Sequence, residues 1–334
     1  MAVERTVTSA PRQHAARQGE RGRERLTYWA YRAAETVLST LPRGVVMPSA
    51  VALSNGAYDV AGPKGAIVRA NMAQALGLPV DDPRVKRAAR QAFRNFGRYM
   101  VEVMRLGVLD PAEARARVTF RGWEDLAAAQ GTEGKGVLLC CVHVGAMDVI
   151  APAMLVEGEK LSAIGDDTTY GRLYDHLAAV RARHGVDVIG WRNLRRLYKV
   201  LSEGGNLVLL VDGAYRAGDV PVEFLGAPTT LPAGPALLSA RTGAAILPVG
   251  ARRTDDDRLE AWGFPVIRAT GSEPAEVYRA TQALADALGE VIRADPGQWY
   301  MFRPVWPQTD ADRAAAEAAL ARARAGEDWS TTTR

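Results

Sequence analysis

Sulfur chemistry is nearly absent from this sequence. Among 334 residues there are two cysteines, and they are neighbours, Cys140 and Cys141. Adjacent positions in a strand face opposite ways, so this pair is not expected to form a disulfide. No spaced Cys/His set suggests a metal site either. A reduced, intracellular protein is the natural expectation. Histidine is scarce too, at four residues. No long apolar run is free of interruption. The most apolar window, 136–157, carries His143, Asp148 and Pro152, whereas a spanning helix needs about 20 apolar residues. Neither a G-x-S-x-G elbow nor a Walker loop occurs. The formal net charge is +4, a modest excess suited to an anionic surface or substrate without choosing between them.

What remains is the composition of an ordinary globular protein, 48% apolar and 24% charged. Residues 1–26, with "RQHAARQGERGRER", read as a disordered basic head without the apolar core of a signal peptide. Apolar residues at three- and four-residue steps predict helices over 27–43, 46–60, 64–76 and 83–107, a helical lead-in region spanning 27–110. From 117 to 307 the pattern alternates. Strands are expected at 136–142, 161–165, 186–190, 206–212, 244–250 and 258–264. Helices are expected at 146–157, 171–184, 192–203, 232–242 and 274–294. Short apolar strands alternating with helices argue for an α/β fold, a mainly parallel central sheet covered by helices on both faces. Residues 27–310 then form one domain, and 311–334 a short helix fraying into a tail.

In such sheets, functional residues gather beyond the carboxyl ends of the strands. His143 follows "GVLLCCV" and Asp212 closes "NLVLLVD", so both fall at that rim. An imidazole there can accept a proton from a hydroxyl, and works better if a carboxylate fixes its tautomer. Asp148 is five residues on, and a bend at Gly145 would fold the two together. A structural histidine fits the same pattern. His14 lies in the head, and His176 and His184 on a polar helix. Cys141, two residues before His143, offers a rival thiolate–imidazole pair, although a buried cysteine is usually a small core residue.

"EGKGVLLCCVHVGAMD" resembles the histidine-x4-acid motif of the bacterial lipid A biosynthesis acyltransferase (lysophospholipid acyltransferase-like) family. Its aspartate form is similar to the actinobacterial branch, the phosphatidylinositol mannoside acyltransferases. "RANMAQALG", "RARHG" (181–185), the block 204–248 and "DPGQWYMFRPVW" (295–306) resemble further blocks of the family, so the likeness spans about 27–307. The resemblance implies transfer of a long-chain acyl group from acyl-CoA or acyl carrier protein to a lipid or glycolipid hydroxyl. It places such a protein peripherally on the cytoplasmic face of the cell membrane, with no metal, no resident cofactor and no nucleic-acid partner. By motif position His143 is the base, with Asp148 or Glu223 ("VEFLG") as its partner. Arg181, with Arg183 as fallback, Gly145 and Asp212 are assigned to substrate. Arg192, Arg195 and Arg196 are assigned to the donor's phosphates. Asp166 or Asp167 stands where the mannoside branch places a glutamate. Val144, Ala146 and Met147 replace the bulkier residues common after the histidine, which bears on the acceptor. Three alternatives stand beside this reading: a thioesterase using Cys141 and His143, a non-catalytic lipid binder, and a family member recruited to acylate a specialised-metabolite hydroxyl or amine.

Overall fold

The computed structural model describes residues 22–122, 126, 135–165 and 170–329. The chain begins with four helices, α1 (Gly22–Thr40), α2 (Arg43–Asp59), α3 (Gly62–Leu76) and α4 (Pro83–Arg105). The first opens five residues earlier than the apolar spacing suggested, inside the stretch read as a basic head. The start of α4 follows from local chemistry. Asp82 accepts the amide of Arg84 at 2.7 Å as the N-cap, and Pro83 fills the first helical position. Val85, Ala89, Ala92 and Phe93 then recur on one face and are buried.

Helix α5 (Pro111–Arg117) leads into β1 (Val118–Arg121), and the sheet alternates with helices from β2 (Val137–Cys141) onward. The order is α6 (Met147–Val156), β3 (Leu161–Gly165), α7 (Gly171–Arg183), β4 (Asp187–Gly190), α8 (Leu194–Ser202) and β5 (Asn206–Leu210). A hairpin of β6 (Val220–Phe224) and β7 (Ala227–Leu231) follows, then α9 (Gly234–Thr242), β8 (Ala245–Arg253), β9 (Leu259–Gly263), α10 (Pro274–Ala294) and α11 (Asp310–Arg324). The seven-stranded sheet runs β1-β9-β8-β2-β5-β3-β4. All its pairings are parallel except β8 with β9. That exception has a local cause, because the short 254–258 turn between the two strands leaves no length for a crossover. The α/β class and the mainly parallel sheet are as the alternating pattern implied.

Three features escaped the pattern, the short helix α5 among them. β1 is four residues long, and the β6–β7 hairpin carries Pro221 and Pro228, which weaken any strand signal. Leu225 and Gly226 close that hairpin at φ 52° and 82°, a two-residue turn with both central residues left-handed.

The core lies on both faces of the central strands. Every residue of β2 is buried, and Leu138, Leu207 and Ile246 sit side by side in neighbouring strands. Each such side chain contributes about 1.5–3 kcal/mol by leaving water. The result for function is positional. β2 is flanked by β8 and β5, so the residues just past Cys141 and Leu210 emerge together in the middle of the carboxyl rim.

Candidate active site

His143 lies two residues beyond β2, and its ring is bound by a carboxylate. That carboxylate belongs to Asp212. The imidazole Nδ1 lies 2.7 Å from Asp212 Oδ1. A carboxylate only accepts, so Nδ1 carries the proton and Nε2 is left as the acceptor. Asp212 Oδ2 receives two further donors, the backbone amide of His143 at 2.9 Å and the indole Nε1 of Trp299 at 2.7 Å. The aspartate is fully buried, whereas the histidine side chain is 38% exposed. Burial alone would push the Asp212 carboxyl up, but the imidazole and the three donated bonds hold it below the usual 3.8. Burial pulls His143 down, and the Asp212 charge and hydrogen bond outweigh it, leaving the imidazole above its ordinary 6.5.

Asp148 does something else. It is the second residue of α6 and is buried. Arg181 of α7 grips it with Nε at 2.6 Å and Nη2 at 3.1 Å, and the Tyr99 hydroxyl of α4 donates to it at 2.8 Å. Desolvation raises its pKa, and Arg181 and Tyr99 bring it back below 3.8. Asp148 therefore stitches three helices together and does not touch the histidine ring. Its influence on the site runs through packing. Tyr99 stacks on Tyr300, with centroids 5.1 Å apart, and the Tyr300 hydroxyl donates to the Gly145 carbonyl at 3.3 Å. The amide of Tyr300 donates to the His143 carbonyl at 3.1 Å, and Val144 bridges Trp299. Gly145 has φ +62°, and a Cβ there would come 3.2 Å from Ala251, so both its conformation and its space favour glycine.

The remaining sequence-assigned residues disperse. Glu223 sits exposed on β6, paired with Arg324 at 2.6 Å, so the carboxylate offered as an alternative partner is engaged elsewhere. Arg183 is exposed over Gly107. Arg196 is bound to Asp187 at 2.7 and 2.6 Å, and Arg192 stacks on Trp191 at 4.8 Å. Arg195 is exposed beside them. These three follow β4, three strand spacings from β2, or about 14 Å. Asp166 and Asp167 lie outside the described residues. Cys141 is wholly buried, its thiol directed to the Leu209 carbonyl, and burial pushes its pKa far up. A buried thiol pushed above its ordinary range is a poor nucleophile, which counts against a cysteine-dependent thioesterase.

An apolar cavity of ≈ 660 Å³, including its part open to solvent, lies between the sheet and α6. Leu139, Cys141 and Val249 form its floor, and Met147, Ile150 and Met154 of α6 its roof. Its wall thus begins two residues before His143 and four after.

A mainly parallel α/β sheet thus carries a carboxylate-held histidine at its rim and an apolar cavity alongside. The chain belongs to the bacterial lipid A biosynthesis acyltransferase family, whose model matches residues 18–308. It is an acyltransferase, as its relatives are. A phosphatidylinositol mannoside acyltransferase of Mycobacterium tuberculosis strain ATCC 25618 / H37Rv is 30% identical over 293 residues, 84% of this chain and 88% of that protein. The enzyme of the same description from Mycolicibacterium smegmatis is 26% identical over 247 residues, 72% of this chain and 78% of its own.

Proposed function

We propose that the protein transfers a long-chain acyl group from acyl-CoA or an acyl carrier protein thioester to a hydroxyl of a glycolipid of the phosphatidylinositol mannoside type, working peripherally on the cytoplasmic face of the cell membrane. The observation that carries this reading is the His143–Asp212 pair, a partly exposed imidazole held by a buried carboxylate, with an apolar cavity lined by Cys141 and Met147 on either side of it in the chain. His143 Nε2 takes the acceptor hydroxyl's proton as its oxygen attacks the thioester carbonyl. Asp212 stabilises the imidazolium that results. The tetrahedral oxyanion collapses and expels the thiolate, which takes the proton back from the imidazolium, giving ester and free thiol. The first-turn amides of α6, which opens at Ala146 without a side-chain cap, support an oxyanion at Gly145. The cavity is of the right chemistry for the acyl chain. Among the described residues no helix is long and apolar enough to cross a membrane. On this reading the lipid acceptor is met along a protein surface.

The test is an assay of the purified protein with radiolabelled acyl-CoA, acylated carrier protein and a phosphatidylinositol mannoside, product being read by mass spectrometry. The expected product gains one acyl ester, and His143→Ala abolishes it. Equal turnover by wild type and His143→Ala, or free fatty acid as the sole product, would overturn the reading.

A further inference from the structure

The carboxyl rim carries more exposed apolar surface than catalysis requires. From the catalytic strand toward the sheet edge it presents Leu210 at the end of β5, Tyr170 just before α7, then Trp191 and Leu194 after β4. Trp191 is 45% exposed and Leu194 54%. Leu194 continues the buried stripe of Leu197 and Leu201 on α8 toward the amino end of the helix, where it is left exposed. Trp191 is fixed in place, its amide donating to the Gly165 carbonyl at 3.3 Å and the Arg192 guanidinium lying 4.8 Å over its ring. Arg195 is exposed on the same first turn. Within five residues the corner therefore combines a tryptophan, a leucine and two arginines.

We infer that the Trp191–Arg195 corner is a membrane-docking site, in which Trp191 and Leu194 enter the interface of an anionic bilayer while Arg192 and Arg195 face its headgroups. The inference rests on the proposed lipid acceptor and adds where the lipid plane meets the protein. Tryptophan suits the headgroup level because its ring is amphipathic, and arginine neutralises anionic lipid there. The bare leucines argue for a bilayer over a phosphate-bearing donor alone, since phosphate recognition gives no reason to expose them. Position agrees as well. The corner lies on the same carboxyl rim as His143, three strand spacings or about 14 Å along the sheet, so one bilayer surface can face both.

The experiment is co-sedimentation of the full chain with vesicles of phosphatidylcholine, alone or mixed with phosphatidylinositol. Trp191→Ser combined with Leu194→Ser is expected to weaken partitioning by about tenfold or more on both vesicle types. Arg192→Gln combined with Arg195→Gln is expected to weaken it on the anionic vesicles alone, and only at low salt. Unchanged thermal unfolding checks that each variant is folded, as fits substitution of exposed side chains. Calorimetric titration with coenzyme A as probe separates the other occupant. Vesicle binding that stays intact, whether or not coenzyme A affinity falls, would overturn the inference. So would binding lost on changing Leu26 and Trp29 of α1 but kept in the rim variants. Because vesicle binding is read without turnover, absence of acyl transfer would sink the functional proposal and leave this result standing.

Discussion

Two buried aspartates lie close to one another in the sequence logic of this protein and far apart in what they do. Asp148 and Asp212 are both desolvated, both kept ionised and both saturated with donors. Asp148 is met by a guanidinium, which never gives up its proton, so the pair is permanently charged and serves as a fixed strut. Asp212 is met by an imidazole, whose charge changes near neutrality, so the same burial and the same carboxylate produce a group that can take up a proton. The difference teaches that burial and ionisation alone do not identify a catalytic carboxylate. What sets Asp212 apart, and supports the role proposed for it, is the cation it meets.

The largest effect that would sharpen this contrast belongs to Asp212. Asp212→Asn is expected to lower kcat by roughly 10²–10⁴, the range for a disabled general base, with little change in KM for the donor. It should also move the acid limb of the rate profile downward, because the group that raises His143 above 6.5 is gone. An acid limb that stays put would break the assignment. Asp148→Asn is expected to act on stability instead. It leaves Arg181 buried without its partner, a loss of about 3–5 kcal/mol read by denaturant unfolding, and pairing it with Arg181→Met should recover part of that. The acid limb of activity in the folded fraction should not move.

The pH dependence of stability separates the pairs further. Both aspartates have folded values below 3.8, so their stabilisation is present above 3.8 and is lost as pH falls through the lower folded values. His143 is raised, so its share is full below 6.5 and fades as pH climbs through the raised value. His143→Gln should therefore remove a decline in melting temperature on the alkaline side, while Asp148→Asn should flatten the acid side. Glu223→Gln is the smallest expected change. Its exposed pair with Arg324 is worth about 0–1 kcal/mol, and turnover should remain within about twofold.

The sequence made much of the fold legible because the sheet is built from short apolar runs with little to confuse them. The strand at 161–165 and the helix at 274–294 fall where their patterns put them. It also put His143 and Asp212 at the rim. What it withheld was which strands are neighbours. β5 lies beside β2 although 64 residues separate Cys141 from Asn206 in the chain, and that adjacency brings Asp212 to His143. Reading along the chain favoured the nearer acid, Asp148, for a role that proximity in sequence does not confer. Trp299 and Tyr99 were missed for the same reason. Nothing in "DPGQWYMFRPVW" announces that its indole reaches a carboxylate 87 positions upstream. The resemblance to known acyltransferases pointed to His143 and left open which carboxylate meets it, which the structure answers with Asp212.

The grip of residues 299–303 on the site has a temporal side. Trp299 closes on Asp212, Tyr300 on the His143 carbonyl, and Asn71 of α3 holds the carbonyls of Met301 and Arg303 at 3.1 and 2.9 Å. These contacts span separations of up to 232 residues, the sort that form late because the intervening chain must be ordered first. On the ribosome, where a chain emerges from its amino end, the strand bearing His143 is available well before the segment that locks its partner. A molecule ending before Trp299 lacks the indole donor to Asp212 and the amide donor to the His143 carbonyl. The carboxylate–imidazole pair is thus finished by one of the last described segments of the chain, so its geometry depends on residues far from the strand that bears His143.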